Sequence, residues 1–527
     1  MTSRLVVADR IVTARGEAGN ALLIEDGRVA AVGEAELLRQ TAVLEESYPG
    51  RVIAPGLRDA HFHPVVYAAV LNRLTLKDAA DLSEVRDRVS EWSAGLPPRE
   101  PLIGARLDDE SLAEGRLPTR HDLDLAVSDR PVLLHRYCGH IAVANTAALE
   151  AAGIDVDTPD PVGGSFDRDP QGLPTGVLRE TAVSVVGRVV GSRTSGVSSD
   201  QLLTALRGLL KFGLTSMGAM VSYELDPWCG SPAELETLVE VSEDLPFDVG
   251  VLLIASTPEQ LANAAELISG ARGRLRFLGL KGFADGGLGG HTAALREPYA
   301  DAPGERGTVR LNPEQAADLA RASLALDGMV ALHAIGDLAC EQVLDVFEVL
   351  ISEGADPEDL RIEHASVLTP ADVERLASLG VIASVQPAFM PSETTWLEKR
   401  LGPDRVRITY PFATMLEAGA RLAGGSDCPV EPPNPFIGLA AARDRAGIVP
   451  EEERLGPHEA LELFTGGAAG ALREPEPLAE GSPATFVVLD RDPVESSPSE
   501  LRLTEVESVW IDGKTVELPA EPPVWPG

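Results

Sequence analysis

Apolar and polar positions alternate with a period of two near both ends of the chain, and this pattern predicts β-strands. Two Asp-Gly pairs, Asp26-Gly27 and Asp512-Gly513, lie between apolar runs. This dipeptide is a strong hairpin signal because glycine adopts positive φ without steric cost. The two β-rich ends predict one small β-sandwich domain that is assembled from residues 1–53 and 471–527.

Between these ends, residues 54–470 alternate short apolar runs with helices whose starts are well marked. Thr257 and Asn312 are each followed by proline and, two residues later, by glutamine, which is typical of a capped helix start. Strands that alternate with helices indicate βα units around a parallel sheet. Eight apolar runs match the strand count of a (β/α)8 barrel, so we expect an α/β fold with a TIM-like barrel. The runs are 54–60, 214–218, 249–255, 278–284, 329–334, 361–365, 381–386 and 421–426.

The interval between the first two predicted strands is too long for one helix. Residues from about 68 to 197 must therefore hold an insertion after barrel strand one. Its apolar segment 131–136 and its glycine-rich turns predict a subdomain over the barrel mouth. We expect substrate specificity to depend on this subdomain.

The charge balance excludes some partners. The chain has 527 residues and a formal net charge of −37, from 82 acidic and 45 basic residues. Nucleic acids and anionic membranes need clustered lysine and arginine, so neither is expected as a partner. A small-molecule substrate is the expected partner, and a homodimer stays open.

Cysteine usage and hydropathy predict a cytoplasmic protein. Cys138, Cys229, Cys340 and Cys428 show no close pairing, which argues against a disulfide framework. The first ten residues meet a charge before any apolar stretch reaches signal-peptide length. No apolar run is long enough to span a bilayer.

The candidate chemistry lies where the predicted barrel strands end. His61 and His63 are one residue apart, and alternate side chains of an extended backbone point to the same side. A lone His-X-His is also compatible with two structural histidines, but partners on other strands favour a metal site. Barrel strands end at a common mouth, where imidazoles can bind zinc or a similar ion and a carboxylate can take a proton from activated water. The partners are Lys281 in strand four, His333 in strand five, His364 in strand six and Asp427 after strand eight.

The motifs around these residues resemble the amidohydrolase superfamily. The best match is its YtcJ-like branch, amidohydrolase family 3, which includes N-substituted formamide deformylases. The resemblance covers nearly the whole chain, including the split β domain. It rests on the segments 55–63, 332–337, 361–365 and 425–430, and the branch assignment on 172–180, 280–286, 292–295 and 298–299.

The resemblance implies roles for the residues at the strand ends. His61, His63, His333 and His364 are implied to bind one or two divalent metal ions, for which zinc is expected, and Asp427 to be both a ligand and the general base. Lys281 matches the position of a carboxylated lysine that bridges two metal ions. An uncarboxylated ammonium has no lone pair for a metal, so a Lys281 that only forms a salt bridge stays the alternative.

The insertion carries a variant of a branch motif. Arg136-Tyr137-Cys138-Gly139-His140 has cysteine where the branch commonly has aspartate. The resemblance implies that Arg136 and His140 orient a substrate carbonyl or carboxylate, although His140 is also suited to capping the segment near Asn145. His291, in the loop after strand four, is a third candidate substrate contact, with a solvent-facing loop histidine as the alternative.

Two acidic residues are expected to support the site. Glu363 precedes His364 and would point away from the metal in a regular strand, so it is expected to support the surrounding shell. Asp337 follows a glycine turn and is expected to orient His333 or a neighbour.

Together these features predict a metal-dependent amidohydrolase that cleaves an amide, N-acyl or N-formyl C–N bond with metal-activated water. Ring deamination or cyclic-amide opening on the same scaffold is the alternative. A catalytically silent barrel that acts as a binding protein, and metal-assisted hydration or isomerisation, stay open. Retention of four histidines and Asp427 argues against the silent barrel.

Overall fold

The computed structural model describes residues 3–40, 42, 44–161, 163–191, 196–223, 233–445, 447 and 450–521. Cys229 and a few residues of the predicted insertion lie outside these ranges. The described strands form three β-sheets, which we call the terminal sheet, the insertion sheet and the barrel sheet. Within these ranges, no helix has the length and apolar character needed to cross a membrane.

The terminal sheet joins strands from both ends of the chain. Leu44–Pro55 pairs in parallel with Ser3–Thr13 and antiparallel with Phe486–Leu489. Hydrogen bonds place all the strands in one sheet, so a two-layer sandwich stays a prediction. The remaining strands are Gly16–Glu17, Ala21–Glu25, Arg28–Gly33, Val506–Ile511 and Lys514–Val516, and the short helices are Ala35–Leu38 and Pro498–Leu501.

The two predicted Asp-Gly hairpins are present and lie against each other. Asp26 and Gly27 have φ of 50° and 82°, and Asp512 and Gly513 have φ of 51° and 72°. A Cβ atom on Gly27 would lie 2.7 Å from the carbonyl oxygen of Asp512. Close approach as well as positive φ therefore requires glycine at this turn.

The barrel sheet contains eight parallel strands in sequential order. A bridge between Phe62 and Cys428 connects the last strand to the first, so the barrel is nearly closed. The first strand begins only after Gly56, because residues 52–55 belong to the terminal sheet; the predicted strand 54–60 crossed this boundary. The strands are Leu57–Phe62, Leu214–Ser222, Asp248–Ile254, Leu275–Phe283, Met329–Ala334, Leu360–His364, Ile382–Val385 and Arg421–Gly424.

Helices surround the barrel, and their capping residues explain where they begin. The side chain of Thr257 accepts from the backbone N–H of Gln260, and that of Asn312 from the N–H of Gln315, as the sequence predicts. The helices are Pro64–Leu71, Ser199–Leu209, Glu234–Glu240, Pro258–Ser269, Pro313–Ala325, Asp337–Ser352, Pro370–Leu379, Phe389–Glu393, Leu397–Arg405, Phe412–Glu417, Pro435–Arg443, Pro457–Leu463 and Gly466–Ala471.

The insertion after the first barrel strand has a sheet of its own. Arg179 of the insertion donates to the carbonyl oxygen of Gly290 at 3.2 Å, and Glu110 forms an ion pair with Arg400. These contacts hold the insertion against the loops at the barrel mouth. Its strands are Leu74–Thr75, Leu102–Leu107, Val132–Arg136, Ile141–Ala144, Gly164–Arg168 and Pro174–Glu180, and its helices are Leu82–Gly95, Arg120–Asp124, Thr146–Ala151 and Thr181–Val190.

Candidate metal centre

Three of the predicted ligand residues converge at the C-terminal ends of the barrel strands. His61, His364 and Asp427 each offer a ligand atom, and these atoms lie within 4.8 Å of one another. Oδ1 of Asp427 lies 3.3 Å from Nε2 of His61 and 3.1 Å from Nε2 of His63. Residues that are more than 360 positions apart therefore share one small volume, as the barrel topology predicts.

His333 completes the ring of imidazoles. The centroid of its ring lies 4.4 Å from that of His364, which in turn lies 4.9 Å from that of His61. All four predicted metal-binding histidines, Lys281 and Asp427 line the same cavity. The structure therefore brings the predicted ligand set together.

Lys281 is buried beneath this cluster, with 1% of its surface exposed. Its Nζ forms no hydrogen bond within the described residues, and it lies 4.7 Å from the ring centroid of Phe283. The expected alternative, a strand-end salt bridge, is not found in that part of the chain. Burial lowers the pKa of Lys281 to about 8, against the opposing charges of Glu363 and Asp427.

Left-handed backbone conformations set the side-chain direction of two candidate ligands. His364 has φ of 72° and Asp427 has φ of 54°, both in a region that non-glycine residues seldom adopt. The strand is therefore irregular at His364, which reaches the mouth while the preceding Glu363 points into the barrel. The direction expected of Glu363 depended on a regular strand and does not hold, but Glu363 supports the shell as expected: its Oε2 lies 2.6 Å from Nδ1 of His61.

Hydrogen bonds to the outer ring nitrogens fix the histidine tautomers. Nδ1 of His61 donates to Glu363, and Nδ1 of His364 donates to Oε1 of Gln386 at 2.8 Å, so each Nε2 keeps a lone pair. Nε2 of His333 lies 3.2 Å from the carbonyl oxygen of Gly286, which can only accept, so the lone pair of His333 is on Nδ1. Such outer contacts are typical of metal-binding histidines.

Burial and neighbouring charges set the ionisation of the cluster. Burial would raise the pKa of Asp427, but His61 and His63 hold it well below its usual range. Burial lowers the pKa values of His333 and His364 well below the usual histidine range, and nearby positive charge adds to the effect. Against the effect of burial, the charges of Asp427 and Glu363 raise the pKa of His61. The neutral imidazoles of His333 and His364 therefore face an ionised carboxylate, and both kinds of group are donors for a divalent metal.

Asp285 was missed in the sequence and takes the role expected of Asp337. Its carboxylate accepts from the backbone N–H groups of Ala294, Ile335 and Gly336 at 2.8–3.0 Å, and its Oδ1 lies 3.3 Å from Nε2 of His333. Asp337 instead accepts from the backbone N–H of Arg296 at 3.0 Å. The sequence signals for Asp285 are its place just after the predicted fourth barrel strand and within the motif 280–286.

His140 of the insertion lines the cavity beside the ligand cluster. Its Nδ1 lies 3.2 Å from Oε2 of Glu180, a buried residue with φ of 52°. The capping role considered for His140 falls to Asn145 itself, whose side chain accepts from the N–H of Ala148. The sequence shows Glu180 within a motif but gives no sign that it meets His140.

The other two predicted substrate contacts differ in position. Arg136 is 1% exposed, and its Nε donates to Asp109 at 2.5 Å, beside a second cavity that adjoins the first. Nε2 of His291 lies 3.0 Å from Oδ1 of Asp301, and the ring of His291 packs against Tyr299. His291 is not among the described residues that line either cavity, so a role in substrate contact is not supported by its position.

The fold and this cluster define a (β/α)8-barrel protein with a candidate metal centre at its mouth. The residues fit a divalent metal because the ligand atoms of two imidazoles and an ionised carboxylate lie within 4.8 Å of one another. The model of one family, described as the amidohydrolase family, matches residues 49–517. The chain belongs to this family.

The similarity to known proteins covers nearly the whole chain. The protein YtcJ of Bacillus subtilis (strain 168) is 32% identical over 516 residues, which cover 95% of this chain and 96% of YtcJ. The N-substituted formamide deformylase of Arthrobacter pascens is 28% identical and covers 96% of each chain. The crystal structure of an uncharacterized metal-dependent hydrolase from Pyrococcus horikoshii OT3 has a TM-score of 0.74 and 28% identity, covering 94% of this chain and 99% of that one.

Proposed function

We propose that this protein is a metal-dependent hydrolase that cleaves the C–N bond of an amide, N-acyl or N-formyl group in a small molecule. The observation that carries the proposal is the convergence of four histidines, Lys281 and Asp427 on one cavity. Membership of the amidohydrolase family supports hydrolysis, and the similarity to an N-substituted formamide deformylase supports an N-acyl or N-formyl substrate.

His61, His63, His333, His364 and Asp427 would hold the metal, for which zinc is the expected ion. A divalent metal in this set would lower the pKa of water from about 15.7 toward ~7 and polarise the substrate carbonyl. The outer hydrogen bonds of His61 and His364 leave a lone pair on each Nε2 for the metal.

Asp427 would act as the general base. Its Oδ1 faces both strand-one histidines, and its low pKa keeps it ionised at neutral pH. It takes the proton of the attacking water and then delivers it to the leaving nitrogen, so the products are a carboxylic acid and an amine. His140, on the insertion side of the cavity, is placed to hydrogen-bond the substrate, with Glu180 fixing its tautomer.

Lys281 would be carboxylated, and its carbamate would help to hold a second metal ion beside the first. Nζ of this buried amine has no hydrogen-bond partner among the described residues, so carboxylation would break none of its hydrogen bonds. In the neutral form of the amine, Nζ would form a bond to the carbon of CO2 and release one proton to solvent. The resulting carbamate is an oxygen ligand, whereas an ammonium is not.

A product screen tests the proposal. The purified protein, loaded with zinc, is incubated with N-formyl amides, N-acetyl amides, cyclic amides and ring amines, and released formate, acetate, amine and ammonia are quantified. We expect acid and amine in equal amounts from a formyl or acetyl amide. Asp427→Asn should lower this rate by about 10²–10⁴-fold.

Asp337→Asn is the matched control, because Asp337 is a buried acid of the barrel mouth that contacts Arg296 rather than a histidine. Ammonia from ring amines without amide cleavage would favour the deaminase alternative. Turnover that releases none of these products would contradict hydrolysis.

A further inference from the structure

A second chamber adjoins the candidate metal centre. The two cavities share His140, His333, His364 and Asp427 in their walls, so the chamber opens directly onto the proposed reaction site. Its far wall is formed by residues from the insertion and from the segments after the seventh and eighth barrel strands. The residues that matter here are Arg136, Tyr137, Phe389, Glu393, Trp396 and Glu431.

The guanidinium of Arg136 is only partly used by the protein. Nε donates to Asp109, but Nη1 and Nη2 have no hydrogen-bond partner among the described residues. The group lies over the ring of Tyr137, 4.4 Å from its centroid. Gly289 permits this position, because a Cβ atom there would lie 3.0 Å from Nη1. A buried guanidinium with two unused nitrogen donors is suited to a carboxylate, which can accept both hydrogen bonds.

Two carboxyl groups lie in the same chamber. Oε2 of Glu393 accepts from the hydroxyl of Tyr410 at 2.6 Å, and the carboxyl group of Glu431 forms a hydrogen bond with the hydroxyl of Ser392. Neither forms a salt bridge in the part of the chain that the structure describes. Burial raises the pKa of Glu393 to about 8 and that of Glu431 to about 7, because desolvation outweighs the opposing charges of Arg136 on Glu393 and of Lys77 and Arg106 on Glu431.

The walls of the chamber therefore offer two kinds of unused hydrogen-bonding group side by side. The guanidinium, which is paired with Asp109 through Nε, keeps two N–H groups for an anionic ligand, and the two carboxyl groups have no salt bridge within the described residues and can release a proton to accept an ammonium. A ligand with only one charge would use one wall and leave the buried groups of the other without an added partner.

We propose that the second chamber binds the zwitterionic head group of a free α-amino acid, with its carboxylate on Arg136 and its ammonium on Glu393 and Glu431. The bond to be cleaved then lies at the far end of the side chain, toward the metal centre. The substrate class is an Nω-acyl derivative of a diamino acid. Hydrolysis adds water across the C–N bond and yields the acid and the free diamino acid.

This inference rests on the proposed function for its reaction but not for its binding test. Calorimetry on the zinc-loaded protein measures the dissociation constants of lysine, ornithine and diaminobutyrate, as both enantiomers, without any turnover. Cadaverine lacks the carboxylate of lysine, aminohexanoate lacks its α-amine, and pentylamine lacks both. For at least one of the three diamino acids, the zwitterion should bind at least tenfold more tightly than the analogues of the same length that lack the carboxylate, the α-amine or both.

Variants test which side chains bind the carboxylate of the ligand and which bind its ammonium. In Arg136→Met the preference for the zwitterion over the analogue without carboxylate should fall to about onefold, while the preference over the analogue without amine persists. Glu393→Gln and Glu431→Gln should show the reverse pattern. Arg407→Met and Glu398→Gln, which replace an exposed arginine and an exposed glutamate, are the matched controls and should retain both preferences.

The outcomes separate the two proposals. Tight binding of the zwitterion without hydrolysis of any Nω-formyl or Nω-acetyl derivative would support the chamber and contradict the hydrolase. Hydrolysis of neutral formamides with no preference for the zwitterion would contradict the chamber alone. If the variants lose thermal stability, the wild-type comparison of the four ligands still decides, since equal affinities would overturn the inference.

Discussion

Nδ1 of His61 lies 2.6 Å from Oε2 of Glu363, and the other carboxylate oxygen of Glu363 lies 2.5 Å from Nε of Arg361. All three side chains are almost fully buried inside the barrel. Arg361 donates to the carbonyl oxygens of Ala60 and Ala471, which fix its guanidinium. The fixed guanidinium holds Glu363, and Glu363 in turn orients the candidate metal ligand His61.

Replacement of Glu363 tests this relationship. Glu363→Gln keeps an acceptor for His61 but removes the charge opposite Arg361, and Glu363→Ala removes both. We expect metal affinity to fall by about 10–100-fold in each variant, since outer contacts of ligand histidines have effects of this size. The alanine variant should also lose ~3–5 kcal/mol in the free energy of unfolding, because Arg361 stays buried without its partner.

Metal titration and urea unfolding measure the two effects. Glu348→Gln is a suitable control, because Glu348 also pairs with an arginine but is exposed, and such pairs contribute ~1 kcal/mol or less. Equal metal affinity in wild type and both Glu363 variants would contradict the proposed orienting role.

The metal content of the protein tests Lys281. Protein purified without chelators or a histidine tag should contain about two metal ions per chain by mass spectrometry, as a bridging carbamate requires. Lys281→Ala should contain about one or fewer, and Lys399→Ala, an exposed lysine, should match wild type. About one ion in both wild type and Lys281→Ala would mean a mononuclear centre in which Lys281 has a supporting role only.

Asp285 and Asp337 form a natural pair for comparison. Asp285→Asn places an NH2 group where the carboxylate accepts from three backbone N–H groups, so it should cost ~1–3 kcal/mol in unfolding free energy and weaken metal binding through His333. Asp337→Asn should change metal affinity little, because Asp337 contacts Arg296 and not a histidine. Metal titration of both variants decides, and a larger loss in Asp337→Asn would reverse the assignment.

The difference between these two acids illustrates how far the sequence could predict the site. Asp285 and Asp337 both follow barrel strands, and only the path of the loops shows which one meets Ile335 and Gly336. The convergence of the candidate ligand histidines was predictable because each lies at or next to a strand end, and strand ends of a parallel barrel must converge. Local periodicity carries that information, whereas contacts between loops depend on the folded chain.

Other differences have the same origin. The inward direction of Glu363 depends on the positive φ of His364, which a regular strand does not predict. The first barrel strand begins at Leu57 because a single glycine separates it from the terminal sheet, and one apolar run spans both. Arg136 and Glu393 come from separate parts of the chain, so their shared chamber could not be predicted from spacing.

Glu393 makes thermal stability depend on pH in a defined direction. Burial raises its pKa to about 8, while the Tyr410 hydroxyl and the charge of Arg136 lower it and the charge of Glu431 raises it. The unfolded chain has the ordinary glutamate pKa of ~4.3. Between these two values the folded state holds a proton that the unfolded state has lost. Stability contributed by this group is therefore present at low pH and falls as the pH rises toward 8.

Glu393→Gln removes this titration and keeps an acceptor for Tyr410. The melting temperature of wild type should fall between pH 5.5 and 8.5 relative to that of Glu393→Gln, because the free energy of unfolding decreases by at most ~1.4 kcal/mol per pH unit. Differential scanning calorimetry at constant metal concentration measures the difference, and Glu398→Gln serves as the exposed control. Parallel curves for wild type and Glu393→Gln would show that Glu393 is already ionised in the folded protein. A saturating zwitterionic ligand should reduce the slope, because its ammonium would stabilise the ionised carboxylate.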